Sequence, residues 1–353
     1  MKLVQDELFC ATRGPVFPST RYQGSKARFL DWLWERVAPL PFHSVLDAFG
    51  GTGCFAYRCK QAGKAVTYND ILPFNRLIGR ALIENGTETL SEADLDNLLH
   101  LPAEHPGFVE KTFRGIYYTN EENRWIDGVS ATIRGLRNPY KQALAYFALF
   151  QACLSKRPYN LFHRKNLELR LRPVARTFGN KTTWDTPFEA LFRRFAEEAN
   201  RAVFDNGTDC RALCQDAATL DPVYDLVYLD PPYLNAKGVG VDYAAFYHFL
   251  DGLTDYDHWA TQIDWDSKHL KLRTEKSAWG NKATILPAFA ALFRRFRNAI
   301  VVLSYRSNGI PAIDALADAL ARTHRTVTVH ESAPMRYTLS SVQSAETLLI
   351  ALP

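Results

Sequence analysis

Two hydrophobic periods alternate along this chain. Short, nearly continuous apolar runs recur at 44–49 (SVLDAF), 64–69 (KAVTYN), 209–214 (DCRALC), 224–229 (YDLVYL), 299–304 (AIVVLS), 326–330 (TVTVH) and 346–352 (ETLLIAL). Apolar residues on consecutive positions read as strands buried on both faces, which suits a parallel sheet covered by helices. Elsewhere the spacing is helical. Leu30, Leu33, Trp34 and Val37 share one face of 29–37, and 73–85 reads as a helix that stops at Asn85-Gly86. The alternation predicts an α/β domain.

Between about 86 and 200 this alternation disappears. A leucine-spaced, acid-rich helix at 91–100 is followed by a Pro/His/Gly break at 102–107 and by further helical stretches. The pattern predicts a core in two parts, 1–85 and 201–353, around a largely helical insert at 86–200. Residues 1–20 show no period and read as a loose lead-in. No repeat or low-complexity tract is visible.

The strand 224–229 runs into Asp230-Pro231-Pro232-Tyr233, at the carboxyl edge where open α/β sheets bind ligands. The Asp230 carboxylate and the Pro231 carbonyl can both accept hydrogen bonds from one aromatic amine, and the Tyr233 ring can stack on a flat base. Asp and Pro are also common in plain turns. A second strand, 44–49, leads into Gly50-Gly51-Thr52-Gly53, where backbone can approach a ligand closely. Gly51, Gly53 and Ala56 also meet a loose dinucleotide fingerprint, with Asp70 placed as a ribose-binding acid. The loop alone therefore indicates a nucleoside cofactor, either a nicotinamide dinucleotide or S-adenosylmethionine.

Three motifs together resemble the adenine-specific, amino-group DNA methyltransferases whose motif order runs lysine motif, glycine motif, recognition insert, DPPY. The lysine motif is Tyr22-Gln-Gly-Ser-Lys26, the glycine motif Asp47-Ala-Phe49-Gly-Gly51-Thr-Gly53, and DPPY stands at 230–233. The resemblance implies the class I S-adenosylmethionine-dependent methyltransferase fold, doubly wound and mostly parallel with seven strands, the last antiparallel. It implies cofactor contacts at Tyr22, Lys26, Asp47, Phe49, Gly51, Gly53, Asp70, Asp216 and Asp230, with Asp70 on the ribose and Asp216 on the adenine amine. It implies catalysis by Asp230, Pro231, Pro232 and Tyr233, and a base-pocket wall at 304–308. Asp70 and Asp216 can equally be caps of the turns that follow their strands, and 304–308 can be an ordinary polar loop.

Charge enters through its distribution. Lys and Arg number 42 against 38 Asp and Glu, a net charge of +4. Yet 156–181 holds Lys156, Arg157, Arg164, Lys165, Arg170, Arg172, Arg176 and Lys181 against Glu168 alone, with Tyr159, Phe162 and His163 interleaved. Charge runs are usually solvated faces, but this concentration in the insert favours phosphate contact. We assign Lys156, Arg157, Arg164, Lys165, Arg170 and Arg172 to DNA. The cluster 255–269 (Asp255, His258, Trp259, Trp265, His269) lacks metal-ligand spacing, and its acids mark it as a loop over the site that binds phosphate poorly. The six cysteines show no C-x-x-C pair, which suits reduced thiols in the cytoplasm, and no segment reads as a signal peptide or membrane span.

The expected activity is therefore methyl transfer from S-adenosylmethionine to the exocyclic amine of adenine in double-stranded DNA. It proceeds by base flipping and direct transfer, without metal, in a monomer, with a cognate restriction endonuclease or defence system as candidate partner. The same reaction on RNA adenine or on the cytosine amine is the near alternative. Carbon-five cytosine chemistry needs a Pro-Cys nucleophile, and no proline here precedes a cysteine. A nicotinamide dehydrogenase would leave DPPY and the lysine motif unexplained.

Overall fold

The computed structural model describes residues 14–105, 107–173, 180–235, 238–275, 277–336 and 343–353. Most of the expected lead-in, together with Cys10 and Arg176, lies outside them.

Strands β1 (Ser44–Asp47), β2 (Ala65–Asn69), β3 (Arg211–Leu213), β4 (Leu226–Leu229), β5 (Ile300–Arg306), β6 (Thr326–Glu331) and β7 (Glu346–Leu352) form a seven-stranded sheet in the order β3-β2-β1-β4-β5-β7-β6. Pairing from β3 through β5 is parallel, and β7 runs antiparallel between β5 and β6. This is the expected doubly wound arrangement with its reversed last strand. A separate two-stranded ribbon pairs Met335–Arg336 with Gln343–Ser344.

Successive strand side chains point to opposite faces, so each apolar run feeds two cores. Val45, Val66, Leu226, Ile300, Val302 and Leu348 pack on one side. Leu46, Val227, Leu229, Val301, Leu303 and Leu349 pack on the other. Helices α1 (Leu30–Val37), α2 (Cys54–Gln61) and α3 (Pro73–Gly79) cover the first face. The expected helix over 73–85 is interrupted: α3 passes at Gly79 into a π turn, Arg80–Glu84. The Tyr68 ring is wedged at that point, and a Cβ on Gly79 would lie 2.3 Å from it.

From 86 to 203 the described chain has helices but no strand. Helices α4 (Glu92–Leu99) and α5 (Asn120–Arg134) each start with a capping box, at Ser91 and Thr119. Helix α6 (Pro139–Ser155) is buried at every residue from Ala143 to Ser155. It packs against α7 (Phe188–Ala202), whose Leu191, Phe192, Phe195 and Ala199 form one apolar stripe. The insert and the first sheet face therefore share one continuous core. After the sheet reaches β4, α8 (Tyr243–Thr254) returns to the insert side, while α9 (Lys282–Arg295) and α10 (Ile313–Ala321) cover the second face. Among the described residues no helix is long and apolar enough to cross a membrane.

Candidate active site

β1, β2 and β4 all end on one edge of the sheet, and the segments that follow them line a cleft that opens to solvent. The glycine loop leaves β1 around the Tyr68 ring. A Cβ on Gly50 would stand 2.0 Å from that ring, and the Tyr68 hydroxyl donates to the Gly51 carbonyl at 2.7 Å. Gly51 and Gly53 have φ of +51° and +77°, the left-handed region where a side chain costs strain. Asp70, at the end of β2, braces the loop. One carboxylate oxygen accepts from Gly51 N at 2.9 Å and the other from Leu72 N at 2.9 Å. Both expected roles are thus open to Asp70: it caps the turn into α3 and also lines the cleft.

The lysine motif closes the cleft from the side. Arg21 N donates to Gln151 Oε1 of α6 at 2.8 Å, and Gln23 N donates to the Tyr247 hydroxyl of α8 at 2.7 Å. The Tyr22 ring stacks on Tyr247 (centroids 4.6 Å apart) and on Tyr243 (5.7 Å). Pinned in this way, Lys26 sends its ammonium to Asp230 Oδ1 at 2.9 Å and to Glu346 Oε1 at 2.9 Å. Burial works against the Lys26 charge, but Asp230 and Glu346 outweigh it and leave its pKa well above the usual lysine value. Burial pushes the Asp230 carboxyl up to about 6; Lys26 holds it down and Glu346 adds to the rise.

Tyr22, Lys26, Asp47, Phe49, Gly51, Asp70, Asp230, Pro231, Pro232 and Tyr233 all line this cleft. Gly53 supplies the left-handed residue that starts α2. Tyr233 is half-buried, with the Tyr305 ring edge-on at 6.2 Å and the Arg306 guanidinium 5.7 Å from its centroid. Asp216 stands apart: it is exposed, outside the cleft lining, and caps the turn 217–219 by accepting from Ala218 N at 2.9 Å. Residues 304–308, the first three of them still in β5, contribute no cleft-lining residue; Ser304 instead turns to Glu346, donating at 2.5 Å.

The charge balance of the lining discriminates between cofactors. Asp47, Asp70 and Asp230 face Lys26 as the one lining cation among the described residues. Asp47 is 1% exposed, its Oδ1 has no hydrogen-bond partner among the described residues, and burial, then Asp230 and Asp70, push its pKa well up. Such a lining repels a pyrophosphate and suits a nucleoside carrying positive charge. An unpaired buried oxygen is costly, and an ammonium or hydroxyl donor on the ligand would satisfy it.

The basic insert requires a correction. Lys156, Arg157 and Arg170 are buried and spend their donors inside the fold, so the structure does not present them to a phosphate. Lys156 donates to the Trp184 and Thr186 carbonyls at 2.9 and 2.6 Å and pairs with Glu122. Arg170 pairs with Glu122 at 2.6 Å. Arg157, 1% exposed, donates to the carbonyls of Leu161, Tyr117, Lys165 and Arg164 at 2.5–3.3 Å, with the Tyr117 ring 4.5 Å away. Burial lowers its pKa to about 10, so it stays cationic at neutral pH. Arg164, Lys165 and Arg172 are exposed.

The loop expected to bind phosphate poorly brings cations to the same place. The Tyr117 hydroxyl lies 2.8 Å from the Phe162 carbonyl, 2.7 Å from the His269 carbonyl and 2.8 Å from His248 Nε2. This tie joins the insert, α8 and the turn 264–271, which is closed by the Ile263–Leu272 bridge. Arg164 and Lys165 leave it on one side, exposed Lys268 and half-buried Lys271 on the other. His163 rests on Phe246 at 5.2 Å, one helical turn along α8 from cleft-lining Tyr243. The residues that sequence reasoning passed over are Glu346, Tyr243 and Tyr247. None belongs to a short motif, although Tyr243 and Tyr247 carry an i, i+4 aromatic spacing.

Comparison with known proteins gives consistent results. The family profile of the D12 class N6 adenine-specific DNA methyltransferases matches residues 22–287. The chain is 31% identical over 326 residues to the type II methyltransferase M2.HphI of Haemophilus parahaemolyticus, covering 90% of this chain and 92% of that one. It is 24% identical to M.NlaIII of Neisseria lactamica, covering 85% and 87%. To M.CviAII of Paramecium bursaria Chlorella virus 1 it is 20% identical, covering 82% and 84%.

Proposed function

The chain belongs to the D12 class N6 adenine-specific DNA methyltransferases, and from that premise we propose how its residues divide the work. The activity is site-specific methylation of the adenine amino group in DNA. What carries the assignment of roles is the convergence of Lys26, Asp47, Asp70, Asp230 and Tyr233 on one cleft.

S-adenosylmethionine bound in the cleft supplies a methyl group already activated on a sulfonium. The cleft's surplus of carboxylates receives that positive charge, with Asp47 Oδ1 toward a donor on the ligand and Asp70 toward the ribose hydroxyls. Asp230 and the Pro231 carbonyl accept from the two N–H bonds of the adenine amine. This draws its lone pair out of the ring and offsets positive charge as it builds on nitrogen. Methyl transfer would form the new N–C bond from the nitrogen pair and leave the C–S pair on the cofactor's sulfur. The surplus proton passes from nitrogen to Asp230 and on to water. The target base must leave the duplex to reach Asp230, and the open face of Tyr233 receives it by stacking.

We assign the duplex-facing surface to Arg164, Lys165 and Arg172 together with Lys268 and Lys271. The Tyr117 tie, which joins Phe162, His248 and His269, supports grouping Arg164, Lys165, Lys268 and Lys271 on one surface. Residues 86–200 thus act as recognition insert between the two parts of the core. The type II names of the relatives support a role beside a cognate endonuclease; a cytoplasmic location and a monomeric state complete the proposal.

Modification-sensitive sequencing of DNA from a methylation-free host expressing the protein tests the reading. One recurrent motif carrying N6-methyladenine is expected. Methylation of the cytosine amine, or of RNA alone, would overturn it.

A further inference from the structure

We propose that Glu346 is a positioning residue for methyl transfer, holding the Lys26 ammonium against Asp230 and keeping the cluster beside the target amine at net negative charge. The inference rests on the roles given to Asp230 and Tyr233 above and adds a residue outside every motif.

The geometry is a buried chain of three charges. Lys26 Nζ lies 2.9 Å from a carboxylate oxygen on each side, Asp230 and Glu346. Glu346 is 1% exposed and is fixed from several directions. Ser304 Oγ donates to its side chain at 2.5 Å, its backbone N donates to Ser332 Oγ at 3.0 Å, and Ser332 N donates to its carbonyl at 2.9 Å. It opens β7, paired with Arg306 of β5. Stability does not call for a glutamate there. Buried ion pairs roughly break even against apolar replacements of the same volume, and fully buried Glu is rare unless paired.

Its use follows from counting charge. Asp230 and Lys26 alone form a neutral pair, and a neutral pair does little for an amine that becomes cationic. A lone Lys26 would also be free to swing between Asp230 and solvent. Glu346 fixes the ammonium from behind and restores one net negative charge within reach of the amine, where low dielectric makes it count. The other titratable groups facing Asp230 are Asp47 from β1, Cys54 from α2, Tyr228 from β4 and Tyr243 from α8. Burial pushes all four up in pKa, and the two ion pairs of Lys26, to Asp230 and to Glu346, set the charge at this point.

The test compares Glu346→Gln with Glu346→Asp. Two measurements are made: single-turnover methyl transfer across pH, and titration of 13C-labelled Asp230 in the cofactor-free protein, assigned with Asp230→Asn. Glu346→Gln keeps the shape and removes the charge. Asp230 should then titrate about one pH unit lower, and the acid limb of the rate profile should move down with it. The plateau should fall about tenfold, with cofactor and DNA affinities unchanged. Glu346→Asp keeps the charge and should hold the titration in place. The proposal is overturned if both variants lose rate equally with Asp230 titrating as in the native protein. It is also overturned if Glu346→Gln fails through lost cofactor affinity alone. Failure of the wider reading would look different: the native protein would methylate no adenine, while the Asp230 titration would still respond to Glu346.

Discussion

Arg157→Ala separates a structural cation from a phosphate contact. The native guanidinium feeds the carbonyls of Tyr117, Leu161, Arg164 and Lys165 and lies against the Tyr117 and Phe162 rings. Truncation leaves those carbonyls facing a cavity. Each buried acceptor without a partner costs about 1–3 kcal/mol, and water entering from the exposed 163–165 side recovers part of that. A loss of about 3–5 kcal/mol is therefore expected, at the upper end for single substitutions. Urea denaturation reads the global share. Hydrogen exchange at 161–165 reads the share confined to the loop, whose protection should collapse first. Purified Arg157→Ala that keeps the native urea midpoint and native exchange, while its DNA affinity loses about 0.9 log unit of salt slope, would restore Arg157 as a phosphate ligand.

Four further outcomes are expected. Asp230→Ala should slow single-turnover transfer by about 2.7–4 kcal/mol; a native rate would end the assignment of Asp230. Because transfer needs the ionised carboxylate and Asp230 titrates near 6, the native rate should fall as pH drops through about 6, and a profile flat to pH 5 would contradict this. Asp70→Ala removes the brace on Gly51 as well as the ribose acceptor, so calorimetry should show weaker S-adenosylmethionine binding with DNA affinity retained; unchanged cofactor affinity would refute that role. Replacing Lys268 and Lys271 by Ala should flatten the salt dependence of DNA binding about as much as replacing Arg164 and Lys165, since each pair carries two of the assigned contacts. An unchanged slope for the first pair would confine the duplex to the insert.

What the sequence could convey depended on whether a feature was local. The run 346–352 predicts β7 with its observed ends because every side chain before Leu352 is buried, so the apolar pattern from Leu348 onward is unbroken. The glycine, lysine and DPPY motifs are legible because each needs particular residue types at adjacent positions. The basic run 156–181 misled because a buried Arg and an exposed one look alike in sequence. What distinguishes Arg157 from Arg164 is the ring of carbonyls that the fold wraps around one of them. Glu122, which pairs with Lys156 and Arg170, lies over thirty residues upstream of either, so the compensating acid was invisible in the local count. Glu346 reads as the polar first residue of a strand, and only β7 lying beside β5 turns it toward Lys26.

The antiparallel placement of β7 has a consequence for biosynthesis. β5 is buried from Ile300 to Tyr305 and apolar there except at Ser304, and its outer edge is closed by a strand translated some forty residues later. A nascent chain that has already formed the glycine loop and DPPY turn still exposes an open, aggregation-prone strand edge. It also lacks the carboxylate behind Lys26. Polypeptides stalled before β7 should therefore be both inert and sticky, and ribosome-bound enzyme should leave neighbouring DNA unmodified until the final strand has docked.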